Sequence, residues 1–179
     1  FEGRQFGRWQ LHECLGRGGM GVVHAAVHLD TKQTAAVKVL FLEDLPESVA
    51  DRFFQEAHIL RRFKHPNIVE VYEFGFADNA GFYIAMERLS GCSLYDWMQL
   101  QEAACSLENL YVIASQVCDA MSFAHQREVI HRDIKPENIY LCGGPERLDQ
   151  IKVLDFGVAK FDMGEGESNR LTQSGTALG

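Results

Sequence analysis

Three glycines stand in G-x-G-x-x-G spacing within Leu15-Gly16-Arg17-Gly18-Gly19-Met20-Gly21-Val22-Val23, between two stretches that alternate like strands. A backbone without side chains can bring its N–H groups up to phosphate oxygens. A glycine-rich hairpin is as readily a plain turn, and a dinucleotide-binding fold is excluded because a strand, not a helix, follows the glycines. Lys38 closes Ala35-Ala36-Val37-Lys38, a cation in an apolar strand, where a solvated edge position is the ordinary reading. Glu56 weighs against it: this carboxylate lies mid-helix among apolar neighbours, and a pair with Lys38 could aim the ammonium at phosphates while limiting its desolvation. Farther along, in order, come His131-Arg132-Asp133-Ile134-Lys135-Pro136-Glu137-Asn138 and Asp155-Phe156-Gly157. The chemistry such a set would serve is the handling of phosphate groups.

The elements that must position these residues follow from periodicity. Residues 9–15, 22–29 and 34–41 alternate as strands of an antiparallel meander. Residues 46–63 turn helical, with Phe53, Phe54, Ala57, Leu60 and Phe63 at three- and four-residue steps and Pro46 suited to the first turn. His65-Pro66-Asn67 breaks that helix, and two strands follow at 68–76 and 82–88, joined by a turn at Asp78-Asn79-Ala80-Gly81. Helices are expected at 94–100 and 107–126, the second N-capped by Ser106 and carrying Leu110, Ile113, Ala114, Val117, Met121 and Ala124 on one stripe. Short strands at 139–141 and 151–154 flank a polar loop, and residues 87–91 form the hinge between the two halves.

With H-R-D-x-x-x-x-N and D-F-G both in place behind the glycine loop, the strand lysine and the helix glutamate, the sequence from about Trp9 to Gly179 resembles the protein kinase family. It looks like the Ser/Thr branch, because Lys135 lies two residues after Asp133, and Leu-Gly-Arg-Gly-Gly-Met-Gly-Val-Val is similar to bacterial members. The resemblance implies an α+β, two-lobe fold: residues 1–88 as an ATP-binding lobe with a five-stranded antiparallel sheet and one main helix, and 89–179 as part of a mainly helical lobe. It implies ATP and Mg2+ as cofactors and Ser/Thr hydroxyls of proteins as substrates. Asp133 would take the hydroxyl proton, Lys135 would neutralise charge on the transferred phosphate, and Asn138 and Asp155 would hold magnesium. Lys38, held by Glu56, would meet the α- and β-phosphates. Leu15 to Val23 would cover the nucleotide, with adenine between Val23 and Ala36 above and Tyr140 below, bonded to the backbone at Glu87 and Leu89, and Met86 at the back. His131 and Phe156 would be structural. Arg132 would meet a phosphate on the segment after Asp155, with Thr172 and Ser174 as the favoured sites.

The sequence departs from the family's usage at Glu128, where a glycine usually ends the long helix; the glutamate either costs about 1 kcal/mol or shifts the helix end. Both ends read as cuts in a longer chain, so Ile113 and Val117 are expected to lack part of their cover and the piece by itself to be inactive. With Lys38, Glu56, Asp133, Asn138 and Asp155 all present, a nucleotide-binding module without turnover is disfavoured, and the H-R-D-x-K-P-x-N wording disfavours a small-molecule kinase.

Composition bounds the rest. A formal charge of -8 without a basic stripe argues against nucleic acid as a partner. Five dispersed cysteines with no C-x-x-C pair suggest neither a disulfide framework nor zinc, and so a reducing, cytoplasmic setting. No apolar run reaches the roughly 20 residues that span a bilayer, so this segment is expected to make no membrane contact.

Overall fold

The computed structural model describes residues 1–18, 21–40, 58–77, 81–100, 105–143 and 150–156. The larger sheet contains β1 (Gln5–Phe6), β2 (Trp9–Gly18), β3 (Gly21–His28), β4 (Thr34–Leu40), β5 (Val71–Ala77) and β6 (Gly81–Met86). Their spatial order is β1-β2-β3-β4-β6-β5, with every pairing antiparallel. A smaller antiparallel sheet joins β7 (Gly91–Ser93), β8 (Ile139–Cys142) and β9 (Ile151–Val153). Helices α1 (Leu94–Leu100) and α2 (Leu107–His125) and a 3-10 turn at Pro136–Asn138 complete the described elements.

Two-residue alternation on the interior strands decides where the chemistry can sit. On β4, Ala35, Val37 and Val39 are fully buried in one cluster with Phe6, Trp9, Leu11 and Tyr83. Ala36 and Leu40 belong to a second cluster, with Phe82, Ile84 and Met86 of β6 and, farther down, Ile113 of α2 and Leu141 and Val153 of the small sheet. Each fully buried side chain of this size contributes about 1.5–3 kcal/mol. By the same period Lys38 shares the face of Ala36 and Leu40. Because β4 lies between β3 and β6, Lys38 is not the solvated edge residue that a lone strand lysine would be.

The large sheet has six strands, not the expected five. The extra strand, β1, is two residues long, too short for alternation to reveal. What holds it is Phe6, buried edge-on against the Tyr83 ring at 5.7 Å. The three-residue β7 escaped notice for the same reason. Of the helix expected at 46–63 only 58–63 are described: 58–60 are helical, and the chain then leaves the helix through a turn at Arg61 and Arg62 rather than continuing to Phe63; Glu56 and the turn at 78–80 lie outside the described residues. The strand expected from residue 68 starts at Val71 instead. Ile68 forms a parallel bridge to Val153, with Val69 N–H donating to Val153 O at 3.1 Å and Val153 N–H to Asn67 O at 2.8 Å.

α1 spans the expected residues, and Ser106 caps α2 by accepting from Asn109 N–H at 3.2 Å. The cover of α2 meets expectation in part: Val117 is only half-buried, as expected, but Ile113 is buried, and Leu107, Leu110 and Tyr111 are exposed. Ile113 lies on the helix face that packs on β9. Three residues on, Gln116 Oε1 accepts from Ile151 N–H (3.0 Å) and from the buried Asn67 amide (2.7 Å).

At the other end of α2, Glu128 N–H donates to His125 O at 2.9 Å and Val129 N–H to Ala124 O at 3.1 Å. This is the bond pair of a Schellman ending, with Glu128 in its left-handed position at φ 61°. The helix therefore keeps the ending that suits glycine and accepts the Cβ strain. Glu128→Gly is expected to stabilise the protein by about 1 kcal/mol, raising Tm by about 2–4 °C in thermal unfolding; an unchanged or lower Tm would show that the strain is absent.

Candidate functional site

The loop from His131 to Asn138 and the residues leading to Asp155 are fastened to each other through one residue, Leu154. Its N–H donates to Asn138 O at 2.8 Å, and its carbonyl accepts from His131 Nε2 at 2.8 Å. The other imidazole nitrogen, Nδ1, accepts from Asp133 N–H at 3.3 Å. Since a backbone N–H can only donate, Nδ1 carries no proton and Nε2 does, which fixes the neutral tautomer. Burial also holds the His131 pKa below its ordinary value. Protonation therefore favours the unfolded chain, and this contribution to stability fades as pH falls below about 6.5. The ring packs on Phe156, which in turn meets Phe63. His131 is thus occupied in shaping the loop.

Within the loop, Pro136 starts the 3-10 turn that buries Asn138. The Asn138 amide nitrogen donates to Asp133 O (2.9 Å) and Oδ2 (3.2 Å), which leaves its Oδ1 to face any other partner. Lys135 Nζ lies 3.0 Å from Asp133 Oδ2. Arg132 and Asp155 both adopt left-handed backbone, at φ 62° and 52°. Such strain persists only where the surroundings over-determine it, as the two bonds to Leu154 do here. Lys38 Nζ reaches Asp155 Oδ2 at 2.6 Å, with the lysine side chain only 12% exposed. An ammonium suited to phosphate and a carboxylate suited to a hard cation therefore meet at one point.

Above that point, the ends of β2 and β3 bring Gly18 opposite Gly21. A Cβ on Gly21 would run into the Val39 carbonyl, so the fold itself demands this glycine. At Gly16 and Gly18 an added Cβ would meet nothing within 4 Å. The fold makes no such demand there, and the bare backbone is left open to a ligand. Val23 and Ala36 pack with the second cluster, Ala36 stands in register with Met86, and Leu89 is half-buried beside them. Val22 is different: its side chain is buried in the other cluster, so only its backbone is on the glycine-loop side. Leu15 and Arg17 are exposed. Tyr140, on β8, donates its hydroxyl to Gly91 O at 2.9 Å, and burial pushes its phenol above the ordinary range.

Gly19, Met20, Glu56, Gly157, Thr172 and Ser174 lie outside the described residues. The sequence reading passed over Lys152, whose Nζ lies 2.8 Å from Glu87 Oε2. Its only signal was a charge between the apolar Ile151 and Val153. Among the described residues no helix is long and apolar enough to cross a membrane.

The pattern of the family described as "Protein kinase domain" matches residues 9–177. Serine/threonine-protein kinase pkn3 of Myxococcus xanthus is 37% identical over 96% of this chain and 31% of its own length. Pkn1 of the same organism is 40% identical over 89% of this chain and 22% of its own. For serine/threonine-protein kinase PknB of Mycobacterium tuberculosis the values are 36%, 96% and 27%. This chain thus spans less than a third of the length of these curated relatives. The crystal structure of the M. tuberculosis PknI kinase domain superposes with a TM-score of 0.77 at 29% identity, over 89% of this chain and 62% of that one.

Proposed function

This chain belongs to the protein kinase family, similar to bacterial Ser/Thr kinases, and from that premise we propose that its site transfers the γ-phosphate of ATP to Ser/Thr hydroxyls of proteins. The observation that carries the reading is the double fastening of Leu154, which makes neighbours of Asp133, Asn138 and Asp155. Asp133 orients the substrate hydroxyl and takes its proton as the oxygen bonds to the γ-phosphorus and the bond to the β-phosphate oxygen breaks, releasing ADP. Lys135, at 3.0 Å from the Asp133 carboxylate, offsets charge on the phosphate in transit. Lys38 grips the α- and β-phosphates under the glycine loop, with Glu56 as its helix partner. Val23, Ala36, Met86 and Tyr140 enclose the base, which bonds to the backbone of Glu87 and Leu89.

The donor set at the metal position fits magnesium: one carboxylate, from Asp155, and one amide oxygen, from Asn138, are hard oxygen ligands that phosphate oxygens would complete. Bound there, the ion would supply positive charge against the phosphates. Five cysteines outside any disulfide suit a reducing, cytoplasmic setting, and neither nucleic acid nor membrane is assigned to this segment as a partner.

The test is the full-length protein with γ-labelled ATP, Mg2+ and a generic basic protein, expected to yield label on serine and threonine. Nucleotide binding without transfer would instead identify a regulatory module.

A further inference from the structure

We propose that Lys152 is a positioning residue for the hinge at 87–91, acting with Tyr140 as a two-point clasp that sets which base the site accepts; the inference rests on the ATP-dependent reading above. On β9, Ile151 and Val153 are fully buried, so Lys152 projects from the opposite face of the strand. Its register partner on β8 is Tyr140, and residues directly opposite on paired strands share a face. These two adjacent side chains reach the two ends of the hinge. Lys152 Nζ lies 2.8 Å from Glu87 Oε2, and the Tyr140 hydroxyl donates to Gly91 O at 2.9 Å. Lys152 also donates to Ile68 O at 3.3 Å, and its side chain is 11% exposed, against 66% for Arg8 in the surface pair with Asp30.

Glu87 has little freedom left. Its N–H donates to Glu70 O at 2.8 Å, and its Oε2 accepts from Glu70 N–H at 3.4 Å as well as from Lys152. On the proposed reading, the group of Glu87 that meets the base is its backbone carbonyl. Adenine offers that carbonyl an amino donor, whereas guanine carries a carbonyl at the same ring position and would oppose it, oxygen against oxygen. Discrimination between the two depends on the carbonyl keeping its direction, which follows from the Glu87 side chain being tethered. Removing the ammonium would leave a part-buried carboxylate without its cation, free to turn toward water and carry the peptide with it. The grip on the phosphates lies elsewhere, at the glycine loop and Lys38, so base selectivity should change while the chemical step does not.

The experiment measures phosphoryl transfer by the full-length protein with ATP or GTP as donor, in Lys152→Met, Lys152→Arg and Tyr140→Phe. Lys152→Met is expected to raise KM for ATP about tenfold with kcat within about twofold, and to lower the ATP-over-GTP ratio of kcat/KM about tenfold. Lys152→Arg, which keeps the cation, should return both to within about threefold of the parent. Tyr140→Phe keeps the ring and loses only the hydroxyl, so the ratio should fall about threefold; this variant decides the matter if Lys152→Met does not fold. An unchanged ratio in folded Lys152→Met, or in Tyr140→Phe where the former does not fold, overturns the clasp, as does an arginine variant no better than methionine. A parent that neither binds nucleotide nor transfers phosphate overturns the kinase reading itself, and the clasp with it.

Discussion

Asp133→Asn in the full-length protein is expected to bind nucleotide as the parent does and to lose phosphoryl transfer by about 10²–10⁴-fold in kcat. The amide is close in size to the carboxylate and can still accept from Asn138, whose amide nitrogen lies 3.2 Å from Asp133 Oδ2, so the loop keeps its shape. His131 is bonded to the backbone N–H of Asp133, which the substitution leaves in place. Lost are the proton acceptor and the charge paired with Lys135. Turnover within a few-fold of the parent would remove Asp133 from the mechanism. A drop in nucleotide affinity equal to the drop in rate would instead mean that the loop had collapsed.

Lys38→Met should lower kcat/KM by about 10²–10³-fold, the loss that follows removal of one preorganised donor to a developing charge. Methionine fills much of the same volume on the buried face of β4, so the sheet should survive. Asp155 then loses the ammonium 2.6 Å from its carboxylate. Glu56→Ala should lower the rate less, by releasing Lys38 from its pose, and the two changes should not add, since both remove one interaction. The measurement is a double-mutant cycle in kcat/KM. Additive losses would mean that Lys38 and Glu56 do not act together.

What could be read beforehand was local. The two-residue period that buries Val37 and Val39 on one side of β4 already put Lys38 on the other, and the capping serine of α2 stood in plain view at Ser106. The order of the glycine loop, H-R-D and D-F-G segments made the family legible. What escaped depends on partners remote in the chain. Val22 and Val23 are indistinguishable in sequence, and only the pairing of β3 with β2 and β4 decides which faces the glycine-loop side. Lys152 reads as a stray charge until Glu87 is brought beside it by the fold. β1 shows no period in two residues, and Ile113 looked uncovered because its cover comes from β9, well along the chain. Glu128 was marked as a departure, yet whether the helix or the residue would yield was decided by the bonds at Ala124 and His125.

The parallel bridge at Ile68 and Val153 also limits how the halves can move. Asn67 and Val69 are bonded to β9 while Glu70, one residue on, is bonded to Glu87, so four consecutive residues are shared between strand and hinge. The lobes cannot slide past or draw away from each other there without breaking backbone bonds, of which those joining Asn67 and Val69 to Val153 lie among buried residues, where an unpaired group is costly. The remaining freedom is rotation about an axis through 67–70, like a door on its jamb. For a given angle of opening, displacement grows with distance from that axis, so Gly18 and Gly21 at the ends of β2 and β3 travel farther than Glu87, which is bonded to Glu70. On the proposed reading of the site, such a hinge would admit and release the phosphate end of the nucleotide while the purchase on the base is scarcely disturbed.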